Sequence, residues 1–330
     1  MERMGLRAGL LAVGLLAACG GDPVAPAWTA VGTDQPSALL SVWAASPTDA
    51  WVVGGDLRQG EGPVAMHYDG TAWSKLDTGA RNVDLWWVTG FADGTVMMSG
   101  SSGTILRYRG GAFEKLATPG NLIVFGMWGA SSDDVWAVGG TFGSGGFIWR
   151  FDGTTWTALA GLPADITTSG TCWKVNGIAA NNLWISATNG TTFHWNGSAL
   201  ERVDIPVEAS LLSVDGNGDR FVAVGGAFDG LLYENTGTGW KSAIPTGGPR
   251  LTGVSVSDAD AYAVGQFGTI LRRGSGSWAT ESQMETEQNL HATFIDPTGG
   301  VWVVGGQFDT PPFSAGVLLH KGSPEPAPLP

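Results

Sequence analysis

The sequence predicts an all-β chain folded as a seven-bladed β-propeller with four-stranded blades, and three observations carry that prediction. A short apolar segment of the form W-x-V-G recurs seven times, no stretch beyond the first twenty residues keeps a long apolar period of 3.6, and 52 Gly and 16 Trp stand among 330 residues. Charged residues make up only 14% of the chain, against about a quarter in ordinary globular domains. Tight turns between buried strands explain this composition, because glycine admits the backbone that chain reversals need, whereas a helix would show a sustained apolar stripe.

The recurring segments end at Gly54, Ser99, Gly139, Ala187, Gly225, Gly265 and Gly305, which are 45, 40, 48, 38, 40 and 40 residues apart. A repeat near forty residues is the length of one propeller blade. In each unit an apolar first strand leads to a turn rich in Ser, Asp, Asn, Pro and Gly, as in Ser46-Pro47-Thr48-Asp49, whose side chains and backbone freedom favour reversal. The second strand is apolar at successive positions, as expected of a strand covered on both faces. Third and fourth strands meet at Asp69-Gly70, Asp152-Gly153 and Asn196-Gly197, strong hairpin signals. The fourth strands then supply Trp73, Phe113, Trp156, Leu200, Trp240 and Trp278, which is six for seven blades.

The seventh unit lacks that strand and runs into Ser323-Pro324-Glu325-Pro326-Ala327-Pro328. Its missing aromatic is Trp28, at the other end of the chain. The N-terminal strand around Trp28 is therefore expected to complete the last blade and remove an open sheet edge. The propeller is assigned to residues 27–322, and residues 323–330 are expected to be a disordered Pro-rich tail, because proline cannot donate to a ladder.

Ahead of Trp28, Arg3 and Arg7 precede an apolar stretch from Ala8 to Ala18. That is the pattern of a secretory signal, and it falls short of the roughly 20 residues a membrane span requires. It ends in Leu16-Ala17-Ala18-Cys19-Gly20, which resembles the lipobox of bacterial lipoproteins. The resemblance implies a signal peptide at 1–18, a lipid on the Cys19 thiol, a lipidated tether at 19–26 and, with Gly20 rather than Asp after the Cys, the outer membrane of a two-membrane envelope. Residues 19–330 carry 15 basic and 29 acidic residues, a net charge of −14. Such a surface repels nucleic acid and anionic headgroups. With Cys19 lipidated, Cys172 has no partner for a disulfide, and stability must come from burial.

Val264-Gly265-Gln266-Phe267-Gly268-Thr269-Ile270-Leu271 and Gly100-Ser101-Ser102-Gly103-Thr104-Ile105-Leu106-Arg107 resemble the repeats of the photosystem II assembly factor family and of BNR-like bacterial propeller lipoproteins, and the double glycine followed by an aromatic is similar to kelch repeats. The resemblance covers nearly the whole chain after Cys19 and implies the fold more than an activity. One departure stands out: Asp69-Gly70-Thr71-Ala72-Trp73 sets Asp and Gly side by side, whereas the Asp-box of sialidases separates them.

No catalytic constellation is legible. His67, His194 and His320 share a third-strand repeat column with Arg107, Arg150 and Arg272, a solvated or cross-strand position, and His291 has no second ligand at metal-binding spacing. Glu281, Glu285 and Glu287 read as a solvated loop. The sequence therefore implies no metal, no cofactor and no catalytic residue. Most Trp residues sit in repeat columns and read as core. Phe142, Phe228, Phe267 and Phe308 recur in the loops joining second and third strands, as gap fillers or as an aromatic ring on one face. Arg81, Lys174 and Arg250 enter the inner strands of blades two, four and six on the same side and form a candidate anion site at the channel mouth. Eight residues separate Cys19 from Trp28, a reach of at most ~30 Å, which ties the membrane to the opposite face. The reading is a monomeric, membrane-anchored, non-catalytic propeller binding a protein or glycan through its loops. The alternative is a glycoside hydrolase or lyase with its site at the channel mouth, which would require paired carboxylates there.

Overall fold

The computed structural model describes residues 27–141, 143–244, 247–281 and 285–330. The signal segment, Cys19, the tether and Phe142 lie outside the described residues. Seven four-stranded antiparallel sheets follow one another along the chain. The inner strand of each touches the inner strand of the next, and that of blade 7 (Leu290–Ile295) touches that of blade 1 (Leu39–Ser46), so the ring is closed. A five-residue helix, Ala164–Thr168, interrupts the connection between blades 3 and 4 and seats Ile166 in the core.

Blade 7 is built from both ends of the sequence. Strand Trp28–Gln35 pairs antiparallel with Ser314–Lys321, Trp28 opposite Lys321, and supplies the outermost strand of a sheet that otherwise runs Leu290–Ile295, Val301–Gln307, Ser314–Lys321. Because Trp28 starts that strand beside Lys321, it lies at the end of the blade away from the loop that follows Gln307.

The blades adhere through a repeated apolar contact, often between two aromatic rings. Each fourth-strand residue rests on the second strand of the preceding blade: Trp28 meets Tyr262 edge-on at 6.1 Å, Trp73 meets Trp302 at 6.3 Å and Trp240 meets Trp184 at 5.0 Å. Trp156 shares a cluster with Met97, and Trp278 with Val222. Edge-to-face pairing suits the quadrupoles of the rings and adds to area burial.

The His and Arg column lies on the same second-strand residues, by direct cross-strand pairing. His67 stacks on Trp51 at 4.2 Å and His194 on Trp184 at 4.5 Å, while Arg150 lies over Trp136 at 5.3 Å. Each is then fixed by the residue two before the aromatic: His67 to Asp49, Arg150 to Asp134, His194 to Asn182 and Arg272 to Asp260. The motif D/N-x-W, or D-x-Y in blade 6, with a facing His or Arg is a cross-strand brace.

Two expectations are corrected. Residues 323–330 are not a loose tail: Pro326 is buried, and Ala327 and Leu329 pack on the cluster that holds Val31, Trp73 and Trp302. The prolines cannot join a ladder, yet the residues between them keep their N–H groups, and those of Ala327 and Leu329 find acceptors. Glu281 is not a solvated loop residue either, since it turns inward to an ion pair with Lys321, which stands over the Trp28 and Tyr262 rings.

Candidate binding face

The central channel is shaped by one device used seven times. In each inner strand the pairing slips by one residue at the same place, leaving Leu40, Trp86, Phe125, Trp173, Leu212, Thr252 and His291 unpaired. A bulge re-aims the extra side chain and bends its strand. The bulged residues gather into an aromatic cluster at the mouth: Trp86 lies 5.2 Å from Phe125 and 5.5 Å from His291, and Phe125 lies 5.0 Å from Trp173. Blades 5 and 6 contribute only Leu212 and Thr252, so the mouth is lopsided.

Blade 7 lays a strap over this mouth. In the loop before Ser314, Phe308 meets His291 edge-on at 4.8 Å and Phe313 meets Trp86 at 5.4 Å. Between them, Asp309 accepts from Arg250 at 3.1 Å and from Asn289 at 3.1 Å. Phe308 is therefore a gap filler, 8% exposed in a small cluster with Ala38, Leu40 and Phe313. Phe228 and Phe267, at equivalent places in blades 5 and 6, are 91% and 64% exposed. Phe267 also holds a left-handed backbone, φ 56°, with its N–H donated to Asn289 Oδ1. An aromatic in that region is strained, and such strain persists where the surroundings enforce it. A pocket of about 480 Å³, walled by Leu251, Ile270, Leu271 and Trp278, opens beside it.

Of the three basic residues expected at the mouth, two are there. Lys174 is buried and reaches across Gly126, where a Cβ would come within 3.0 Å of its Cδ; its amine donates to Phe125 O at 2.8 Å and stands 4.0 Å above the Trp87 ring. Burial pulls its pKa down to about 7. His291 donates from Nδ1 to Leu40 O, and burial, aided by the charges of Lys174 and Arg250, pushes its pKa down to about 3, so it stays neutral. Arg81 does not join them: exposed and paired with Asp77 at 2.9 Å, it lines a separate groove of about 630 Å³ on blade 1, bounded by Gln35 and Pro36 and by the loop from Leu57 to Gly62. That groove rests on a network invisible in the sequence, in which Arg58 binds Asp56 and Asp84, and Asp56 accepts from the Asn82 N–H.

Farther along the channel, Asp215 accepts from Val256 N at 2.6 Å in the next blade. Burial pushes its pKa up to about 7, against the downward pull of the hydrogen bonds it accepts from the Val256 and Gly216 N–H groups and from Ser255. Cys172 is fully buried and its thiol is pushed up to about 12, which leaves it inert. Among the described residues no group of three or more His, Cys, Asp or Glu is placed to hold a metal ion.

The ring, its closure and its lopsided mouth define the class as a seven-bladed β-propeller. Among solved structures the chain is similar to virginiamycin B lyase from Staphylococcus aureus (TM-score 0.68, 14% identity, 88% of this chain and 99% of that one) and to YCF48 bound to a D1 peptide (TM-score 0.64, 14% identity, 91% and 99%). It is equally similar to the WD40 repeats of RRP9 (TM-score 0.70, 9% identity, 90% and 98%). No family model matches the chain, and no curated protein matches it in sequence. At these identities the likeness is one of fold, on which both binding proteins and a lyase are built.

Proposed function

We propose that the chain is a lipid-anchored envelope protein that binds a protein partner through its loop face without catalysing a reaction. The carrying observation is the pair Phe228 and Phe267, two unburied aromatics at equivalent positions in adjacent blades, beside an apolar pocket and an aromatic mouth. Among the described residues, Ile178 is the one other large apolar side chain so exposed. Aromatics presented on a rigid frame are the anchors from which interfaces draw most of their energy. A propeller of the same fold, YCF48, has been solved bound to a peptide. For the enzymatic reading, the mouth carboxylate Asp309 is already engaged by Arg250 and Asn289.

Photo-crosslinking from position 228 in intact cells tests the reading, with position 178, at the far end of the blade 4 inner strand, as control. Adducts to a protein at 228 and not at 178 are expected; the reverse pattern, or glycan capture alone, overturns it. The anchor is tested separately, because Cys19→Ser should move the protein from the membrane fraction to the soluble one.

A further inference from the structure

Residues 323–330 read Ser-Pro-Glu-Pro-Ala-Pro-Leu-Pro. From Glu325 onward each residue is a proline or precedes one, and both kinds are held to extended, polyproline-like backbone. The segment lies in a groove along the seam where the ring closes. One wall is the edge of strand Trp28–Gln35, where Val31 O accepts from Leu329 N at 2.8 Å and Thr29 Oγ1 donates to Glu325 at 3.3 Å. The other wall is blade 1, where the Trp73 indole N–H donates to Ala327 O at 2.9 Å and Tyr68 OH accepts from Ala327 N at 3.3 Å.

Tyr68 and Trp73 are stacked, ring centres 5.2 Å apart, and give the groove an aromatic floor. Leu329 fills the space above Gly32, where a Cβ would come within 2.7 Å of its Cδ1. These are the means by which aromatic grooves hold proline-rich ligands: a flat ring surface, an indole donor to a backbone carbonyl, and a ligand already stiff in its bound form. Equivalent indoles serve otherwise: that of Trp278 donates to Glu234, and those of Trp156 and Trp240 are buried without a partner.

We infer that the seam between blades 7 and 1 is a binding groove for proline-rich polypeptide, which the chain's own residues 323–330 fill in cis. The surface is separate from the loop face. Its ligand class is an extended x-Pro-Ala-Pro-Leu-Pro segment, read by the Trp73 and Tyr68 contacts to Ala327 and by the Gly32 notch for leucine. Tethering gives the resident segment a millimolar-scale effective concentration, so a peptide in trans is excluded while the tether is intact.

The test is a titration of the synthetic peptide Ser-Pro-Glu-Pro-Ala-Pro-Leu-Pro, followed by tryptophan fluorescence and thermal unfolding, into the full chain and into a chain ending at Gly322. The shortened chain should bind it one to one and regain thermal stability in a concentration-dependent way. The full chain should bind at least tenfold more weakly, as should the shortened chain offered a peptide with Asp in place of leucine. A folded shortened chain that ignores the peptide, or a full chain that binds it equally well, overturns the inference. If the shortened chain does not fold, full-length Leu329→Asp takes its place, with the same outcomes deciding.

Discussion

Two columns of side chains run around the ring with the same period and opposite character. The outer one, from Trp28 and Trp73 to Trp240 and Trp278, repeatedly sets a large apolar side chain against the second strand of the preceding blade. The inner one, at the bulges, changes at every blade, from Leu40 and Trp86 to Thr252 and His291. Each outer residue faces its own copy of one neighbour, so a single solution can be repeated seven times. The seven inner residues converge on one space, where identical side chains would collide or leave voids. Repetition therefore marks the stabilising column, and variety marks the column in which a binding face can be encoded.

Breaking one contact of each column measures the difference. Trp302 is fully buried and receives Trp73, so Trp302→Ala should cost about 3–5 kcal/mol of unfolding free energy, the range for large-to-small changes in a close-packed core. Phe125 keeps partial access to the channel, and Phe125→Ala should cost roughly half as much or less on the same basis. Denaturant unfolding of both variants makes the comparison, and equal losses would remove the distinction between the columns.

The third-strand column of His and Arg, which faces the same second strands, predicts an acid transition. His320 pairs opposite Trp302 and is 1% exposed, with its ring centre 4.2 Å away; burial holds its pKa down at about 4 against the opposing pull of Asp296 and Glu325. The unfolded chain titrates near the ordinary value of 6.5, so it binds the extra proton first as pH falls. Stability is thus full above about pH 6.5 and declines toward pH 4, by about 3 kcal/mol for this one group. His291 adds to the same decline, since it too is held neutral. Unfolding midpoints at pH 7.5 and 4.5 should differ less in His320→Gln than in the unaltered chain, and an unchanged difference would refute the assignment.

A third intervention acts on the paired residues directly after two of the bulges. Gly126→Ala would place a methyl group 3.0 Å from Lys174 Cδ and 3.2 Å from its Cα. The side chain can yield but the backbone cannot, so a loss of about 1–2 kcal/mol is expected, in the overpacking range. The Trp87 fluorescence should shift as the amine leaves the ring face.

Much of the outer column was legible in the sequence because it repeats: the period, the hairpin turns and the vacancy filled by Trp28 all follow from counting. The inner column was not, because a bulge is a one-residue slip in pairing that leaves no composition signal in Leu39-Leu40-Ser41 or Leu290-His291-Ala292. Nor could spacing separate Phe308 from Phe228. The two occupy equivalent repeat positions, and only the strap clamped by Arg250 and Asp309 turns Phe308 inward. Lys174 entered its inner strand where expected, but its direction across Gly126 depends on a contact between blades. The prolines of 323–330 argued correctly against a ladder strand; what they concealed was the N–H groups between them and the aromatic floor on which they lie.

The smallest expected effect is the most diagnostic, because its sign differs between the two roles a loop aromatic can have. A phenylalanine kept for packing loses stability when replaced. Phe267 is 64% exposed and held at φ 56°, a region asparagine tolerates far better than a phenyl side chain does. Phe267→Asn should therefore raise stability slightly, by about 0.5 kcal/mol, as strain is relieved with little burial lost. The same change should weaken crosslinking from position 228, since it removes half of the exposed aromatic pair. Stability and binding then move in opposite directions, as they do where strain is maintained for recognition. A loss of stability in Phe267→Asn would assign the side chain to packing and leave Phe228 as the sole exposed aromatic of the binding face.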